Sequence, residues 1–170
     1  MEATGSHRRR LPPRWFIRVA WAIHRAIHRL TGGRRGLWLV RPGRWGTMRV
    51  TTDVRRTGTK RSAILGYYED GANLVTMAMN GWGAPEPAWW LNLQAQPVAE
   101  VTLKSGTRAV RARAAVGEER ERLWARFREF GDDPDDYAHR RPGQTEVVVL
   151  EPATAAEASE PAGGGVVPPR

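Results

Sequence analysis

From Gly36 onward the chain is a succession of short runs rich in Val, Leu, Thr and Tyr, separated by turn residues. Leu37–Val40, Met48–Thr52, Ala63–Tyr68, Leu74–Met79, Val98–Leu103, Thr107–Val116 and Val147–Leu150 read as strands. Asp70-Gly71 and Ser105-Gly106 are turn dipeptides between neighbouring runs. Six or seven short strands at hairpin spacing predict an antiparallel barrel or sandwich. Two helices interrupt them. One covers roughly Pro87–Ala95 and ends before Pro97, since a proline ring cannot continue a helix. The other runs from about Glu118 to Phe130, with Leu123, Trp124, Phe127 and Phe130 on its apolar face. The expected class is mainly β with flanking helices.

Charge divides the chain. Residues 1–61 hold 16 of the 27 Lys and Arg but only Glu2 and Asp53 of the 18 acids. The first third is thus strongly basic and the remainder slightly acidic. Lys60 and Lys104 are the only lysines. A basic segment of this kind permits a nucleic acid, an anionic membrane surface or a multiply anionic small molecule as partner. The absence of cysteine excludes disulfides, thiol nucleophiles and thiolate metal sites.

Residues 1–12 read as a disordered basic segment and 13–31 as an amphipathic helix after Pro12-Pro13. Trp15, Phe16, Val19, Ile23, Ile27 and Leu30 fall within an arc of about 160° at helical spacing. Arg14, Arg18, Arg25 and Arg29 lie opposite and interrupt any signal-peptide core. Such a helix suits an anionic membrane surface, and equally suits packing on its own domain with a solvated arginine face. No apolar run reaches the ~20 residues of a membrane span. Residues 32–152 form the expected barrel domain, and 153–170, rich in Pro, Ala and Gly, a disordered tail.

Catalytic constellations are scarce. None of Ser6, Ser62, Ser105 and Ser159 lies in a nucleophile-elbow context. His24 and His28 have helical metal-pair spacing but no glutamate between them and no third ligand. The aspartates at 132, 133, 135 and 136 fit helix capping better than a calcium loop. No metal site is expected.

Two segments carry more information. In Arg55-Arg56-Thr57-Gly58-Thr59-Lys60-Arg61-Ser62, four cations and three hydroxyls gather around a glycine. Backbone N–H groups in such a turn can form an anion nest, and arginines can fork onto phosphate. A solvated basic hairpin is the plainer reading. The second segment runs from Ala78 through Trp82 to Pro87, then starts a helix with Trp89-Trp90-Leu91-Asn92-Leu93. Adjacent tryptophans point about 100° apart on a helix. Either one walls a planar ligand's pocket, or both pack into different layers of the core.

These residues resemble a family. Thr51-Thr52, Arg55-Arg56-Thr57-Gly58, Arg61, Asp70-Gly71, Ala78, Asn80-Gly81, Pro87, Trp89-Trp90-Leu91-Asn92-Leu93, Ala95 and Pro97 match, in register, the deazaflavin-dependent nitroreductases, also called coenzyme F420-dependent quinone reductases. The likeness extends over about residues 14–152. It implies a split β-barrel related to the FMN-binding barrels, and coenzyme F420 rather than FMN as cofactor. It also implies hydride transfer to a quinone, a nitro-aromatic or another electron-poor acceptor. F420 carries a phosphodiester and a glutamate tail. By the family pattern Arg55, Arg56, Thr57, Gly58 and Arg61 would hold these anionic groups. Ser62, Ala63, Ile64, Leu65, Ala78, Met79, Asn80, Ala88, Trp89, Trp90, Leu91 and Asn92 would line the deazaflavin. Tyr137 is the candidate proton donor, a buried core tyrosine being the alternative. The expected location is cytoplasmic, with residues 13–30 as a peripheral attachment to the inner face of the plasma membrane.

The chain departs from the pattern in places. Val54 stands where the family has a glycine, Met79 replaces a serine, Ile64 a proline, and Trp82 a second glycine. Val54 and Trp82 motivate an alternative reading, a non-catalytic F420- or flavin-binding protein on the same barrel. Nucleic-acid binding through the basic third ranks last, and no nucleic-acid partner is expected. The aromatic residues cluster at a helix start rather than along a strand face.

Overall fold

A computed structural model describes residues 36–79, 85–130, 135 and 143–159. The proposed helix over 13–31, Asn80, Trp82, Tyr137, His24, His28 and three of the four clustered aspartates lie outside these residues. So do 160–170 of the expected tail.

Six strands close into a barrel. They are β1 (Gly46–Asp53), β2 (Lys60–Asp70), β3 (Asn73–Met77), β4 (Val98–Leu103), β5 (Gly106–Ala114) and β6 (Val147–Pro152). Their order around the barrel is β1-β2-β3-β6-β5-β4, and every neighbouring pair is antiparallel. Closure leaves no free edge among these strands. Among the described residues they are accompanied by the α-helices α1 (Ala88–Ala95), α2 (Gly117–Phe127) and α3 (Ala155–Ser159), with a 3-10 turn over Arg128–Phe130 after α2. No helix among the described residues is long and apolar enough to cross a membrane.

Period-two alternation divides the apolar residues between two cores. On β1, Gly46, Met48, Val50 and Thr52 are buried while the residues between them are half-buried. Met48 and Val50 join Tyr67, Leu74, Val101, Val110, Val148 and Leu150 inside the barrel, together with Trp89, Trp90 and Leu93 of α1. The second core lies outside the barrel wall. There Tyr68, Val75, Val147 and Val149 meet Leu123 and Phe127 of α2. Strand β6 serves both cores, which explains its unbroken apolar run. Each fully buried side chain of this kind contributes roughly 1.5–3 kcal/mol relative to exposure.

The turns follow their residues. Gly71, at φ +62°, closes the β2–β3 hairpin behind Asp70. Lys104-Ser105 form the two-residue connection of β4 to β5. Asp70 also ties this side of the barrel to α2, through Arg122 at 2.9 Å and Arg126 at 3.1 Å.

Three expectations are corrected. Leu37–Val40 is not a strand. Thr47 holds it, its amide donating to the Trp38 carbonyl and its hydroxyl bridging the Trp38 amide and the Gly36 carbonyl. Arg41 and Arg44 then close a tight turn on Pro42-Gly43, which ends any ladder. The cationic turn is shorter than its composition suggested. Lys60 and Arg61 already belong to β2, opposite Asp53 and Thr52. Finally, residues 153–159, read as part of the tail, contain a helix. Thr154 accepts from the Glu157 amide and Glu157 returns a bond to the Thr154 amide, a capping box that starts α3.

Candidate functional site

The candidate site lies where the β1–β2 turn meets α1. The turn spans residues 54–59 and is closed by its own backbone. The Val54 amide donates to the Thr59 carbonyl at 2.9 Å, and the Val54 carbonyl accepts from Thr57 at 3.0 Å and Gly58 at 2.8 Å. Gly58, at φ +64°, reverses the chain there. The Thr57 and Thr59 hydroxyls meet at 2.8 Å. Val54, for all its departure from the glycine of the family pattern, needs no left-handed backbone, since no described residue other than glycine has positive φ. The turn therefore accommodates its side chain.

This hydrogen bonding alters the expected chemistry of the turn. The amides of Val54, Arg55, Thr57, Gly58 and Thr59 all donate within the protein. No nest of free backbone donors remains to hold an anion. What the turn offers is side-chain charge. Arg55, Arg56, Lys60 and Arg61 are all exposed. Lys60 is paired with Asp53 at 3.4 Å. The guanidiniums of Arg55, Arg56 and Arg61 form no ion pair among the described residues. Exposed guanidiniums without carboxylate neighbours are suited to forking onto phosphate or carboxylate oxygens.

Strand alternation sorts the next residues. In the register of β1 with β2, Arg61 faces Thr52, Ala63 faces Val50 and Leu65 faces Met48, all on the interior side. Ser62 faces Thr51 and Ile64 faces Arg49 on the outer side. The Ser62 and Thr51 hydroxyls lie 3.0 Å apart there. The contiguous run 62–65 thus presents two different surfaces, and a single ligand would meet only one of them.

Helix α1 begins after Pro87, whose carbonyl accepts from Trp90 and Leu91, and ends at Gln96 before Pro97. Both tryptophans pack in the interior core, Trp89 at 8% and Trp90 at 4% exposure, with ring centroids 6.2 Å apart and planes tilted by 58°. Both are core residues, but they share the one interior core instead of dividing between different layers. Ala88 is exposed and Leu91 half-buried. Asn92 is buried at 4% exposure. Its Nδ2 donates to Thr52 Oγ1 at 3.0 Å, and its Oδ1 accepts from the Arg55 amide at 3.3 Å. Ala78 is fully buried at the end of β3, its amide donating to the Glu146 carbonyl, and Met79 follows half-buried. The structure thus gathers Arg55–Gly58, Arg61 and Asn92 at one place. Thr52 completes the group; the sequence marks it as part of the family match but not as a site residue. The signal for it is its position three residues before the first arginine of the turn.

A depression elsewhere on the barrel is a poorer candidate. It opens beside the Arg41–Arg44 turn, with Arg41 and Arg126 set against Glu69 and Glu129. Its charges balance. It adjoins the start of β1, whereas the cationic turn follows the end of that strand, about 23 Å away at the usual strand rise.

Known proteins share this arrangement of elements. A family model described as F420H(2)-dependent quinone reductase matches residues 21–152. The F420H(2)-dependent quinone reductase Rv1261c of Mycobacterium tuberculosis is 32% identical over 81 residues, 48% of this chain and 53% of that protein. A second protein of that organism, Rv3178, is 36% identical over 72 residues, 42% of this chain and 60% of that protein. The chain therefore spans little more than half the length of these curated relatives. Among solved structures, the F420-H2 dependent reductase FDR-A superposes with a TM-score of 0.57 at 25% identity, covering 68% of this chain and 100% of that one.

Proposed function

The chain belongs to the F420H(2)-dependent quinone reductase family, and on that premise we propose that it is an oxidoreductase that holds coenzyme F420 at the β1–β2 turn and passes a hydride to a quinone. The observation that carries this reading is the set of exposed guanidiniums at Arg55, Arg56 and Arg61, free of carboxylate partners among the described residues. Such a set fits the phosphodiester and glutamate tail of F420. Arg55 and Arg56 extend from the turn, and Arg61 stands on the interior side of β2 beside α1. Ala63 and Leu65, also on that side, and Leu91 of α1 are the apolar surface against which the deazaflavin would lie. The bound coenzyme supplies the two-electron chemistry. The protein binds the tail, orients the ring and limits water beside it.

Nitro-aromatics belong to the proposed acceptor range as flat, electron-poor alternatives to quinones. Tyr137 is proposed as the group that delivers a proton to the reduced acceptor. A membrane surface is the proposed location of a lipid-soluble acceptor, reached through residues 13–30. Trp38 and Leu39, exposed at 44% and 43% beside Arg41 and Arg44, give the described part of the chain a similar mixture of apolar and cationic groups.

The deciding experiment is a titration of the chain with F420, followed by tryptophan quenching, with FMN as control. Saturable F420 binding that disappears in an Arg55→Ala/Arg56→Ala/Arg61→Ala variant is expected. Failure of the wild-type chain to bind F420 would overturn the reading. Binding without oxidation of the reduced coenzyme by any quinone would instead favour a non-catalytic carrier.

A further inference from the structure

The residues that would touch an anionic ligand sit on a turn whose own bonds are local. Its backbone bonds join Val54, Thr57, Gly58 and Thr59 to one another. Its hydroxyl bonds join Thr57 and Thr59. Among the described residues only one hydrogen bond leaves the turn for another element. It runs from the Arg55 amide to Asn92 Oδ1, 37 positions further along the chain. The other end of the same side chain grips Thr52 Oγ1, the last interior hydroxyl of β1 before the turn.

We propose that Asn92 is a positioning residue, which fixes the cationic turn to the barrel through Arg55 and Thr52 and so sets the direction in which Arg55 and Arg56 present their guanidiniums. This rests on the reading of the turn as the cofactor's anion site. It differs from a direct contact between Asn92 and the deazaflavin. The amide is buried at 4% exposure and bonded at both its oxygen and its nitrogen.

The physical case has three parts. A buried carboxamide is costly when unsatisfied, so the conformation that satisfies both ends is strongly preferred. The anchor is seated in the fold, because Asn92 is itself buried and is flanked on α1 by Trp90 and Leu93 of the interior core. Arginine side chains carry large rotamer freedom, so a backbone amide held in place narrows the volume that their charges sample. Without the tether the turn keeps its internal bonds but is free to swing about the β1–β2 ends. The charges would remain while their convergence on one anion is lost.

The test uses the full chain and the variants Asn92→Ala, Thr52→Val and Thr52→Ser. Exchange of the Arg55 amide is followed by NMR, and F420 affinity by tryptophan quenching. Removing a buried hydrogen bond of this type is expected to speed Arg55 exchange and weaken F420 about tenfold in Asn92→Ala. Thr52→Val should move both readouts in the same direction by less. Thr52→Ser, which keeps the accepting hydroxyl, should behave as wild type in both. A loss of affinity in Asn92→Ala with Arg55 exchange unchanged would overturn the proposal in favour of a direct ring contact. Wild-type exchange and affinity in Thr52→Val would also overturn it. Should Asn92→Ala fail to fold, the two Thr52 variants decide alone. If the wild-type chain binds no F420, the functional reading falls, and Arg55 exchange alone upholds or overturns the tether.

Discussion

The ring of Tyr67 lies against the backbone of Gly46, its cross-strand neighbour in the β1–β2 register, so closely that a Cβ on residue 46 would stand 2.4 Å from Tyr67 Cε1. A side chain and an empty space share one place inside the barrel. Tyr67 is itself fully buried there, and desolvation holds its phenol above the ordinary range.

Gly46→Ala should therefore destabilise the barrel by about 2 kcal/mol, as overpacking of a fixed core does. In a Tyr67→Ala background the same substitution should cost less than about 0.5 kcal/mol, the ring no longer being in the way. Urea denaturation of the four proteins of this cycle measures the coupling. Additive effects would show that the glycine is required for another reason.

The two described tyrosines should resist ionisation. Burial raises the Tyr68 phenol as it raises Tyr67, and the Tyr68 hydroxyl donates to the Leu123 carbonyl at 2.9 Å. A pKa raised on folding leaves stability intact below the unfolded value near 10, and stability is lost as pH rises beyond it. Tyr68, the more strongly shifted, should develop no phenolate absorbance at pH 11 while the protein stays folded, and Tyr67 should ionise at higher pH than an exposed tyrosine. Ready titration of both in the folded state would contradict the packing.

Asp70 works in the opposite direction. Its hydrogen bond to Arg122, aided by the charge of Arg122 and then of Arg126, holds the carboxyl below its ordinary range. The stabilisation is present at neutral pH and is lost as pH falls through the lowered folded value. Asp70→Asn should melt below wild type at pH 7, and the gap should close below about pH 4, where the unfolded carboxyl is protonated. A gap independent of pH would assign the effect to packing.

Membrane attachment, if it accompanies the proposed activity, should appear as pelleting with vesicles containing anionic lipid and not with neutral ones. It should weaken as salt rises. Deletion of residues 1–30 should abolish most of it. Trp38→Ser/Leu39→Ser should reduce it further without changing F420 affinity, since these residues lie beyond the start of β1 and far from the cationic turn.

The parts of the fold legible in the sequence are those in which a residue's own chemistry decided its place. Val147–Leu150 is apolar at every position because both its faces are buried, and Asp70-Gly71 marks a turn by its own conformational preference. Other parts depended on a partner. Lys60-Arg61-Ser62 looks like loop by composition, and becomes strand only because Asp53, Thr52 and Thr51 lie opposite. Leu37–Val40 looks like strand, yet its backbone bonds with Thr47 do not extend into a ladder. The capping box Thr154–Glu157 was present as a local signal, masked by its surroundings of alanine and proline. In the candidate site, the arginines were legible as charge. The role of Asn92 was not, because helical spacing does not reveal that Thr52 and Arg55 lie across from it.

Strand β6 has one further consequence. Val148 and Leu150 belong to the interior core, while Val147 and Val149 belong to the core beneath α2. The two cores are opposite sides of a common wall. Loosening either would strip one face of the same strand, so neither can melt while the other persists. The barrel and its outer helix should then lose structure in a single cooperative transition, with the amides of β6 the slowest in the chain to exchange.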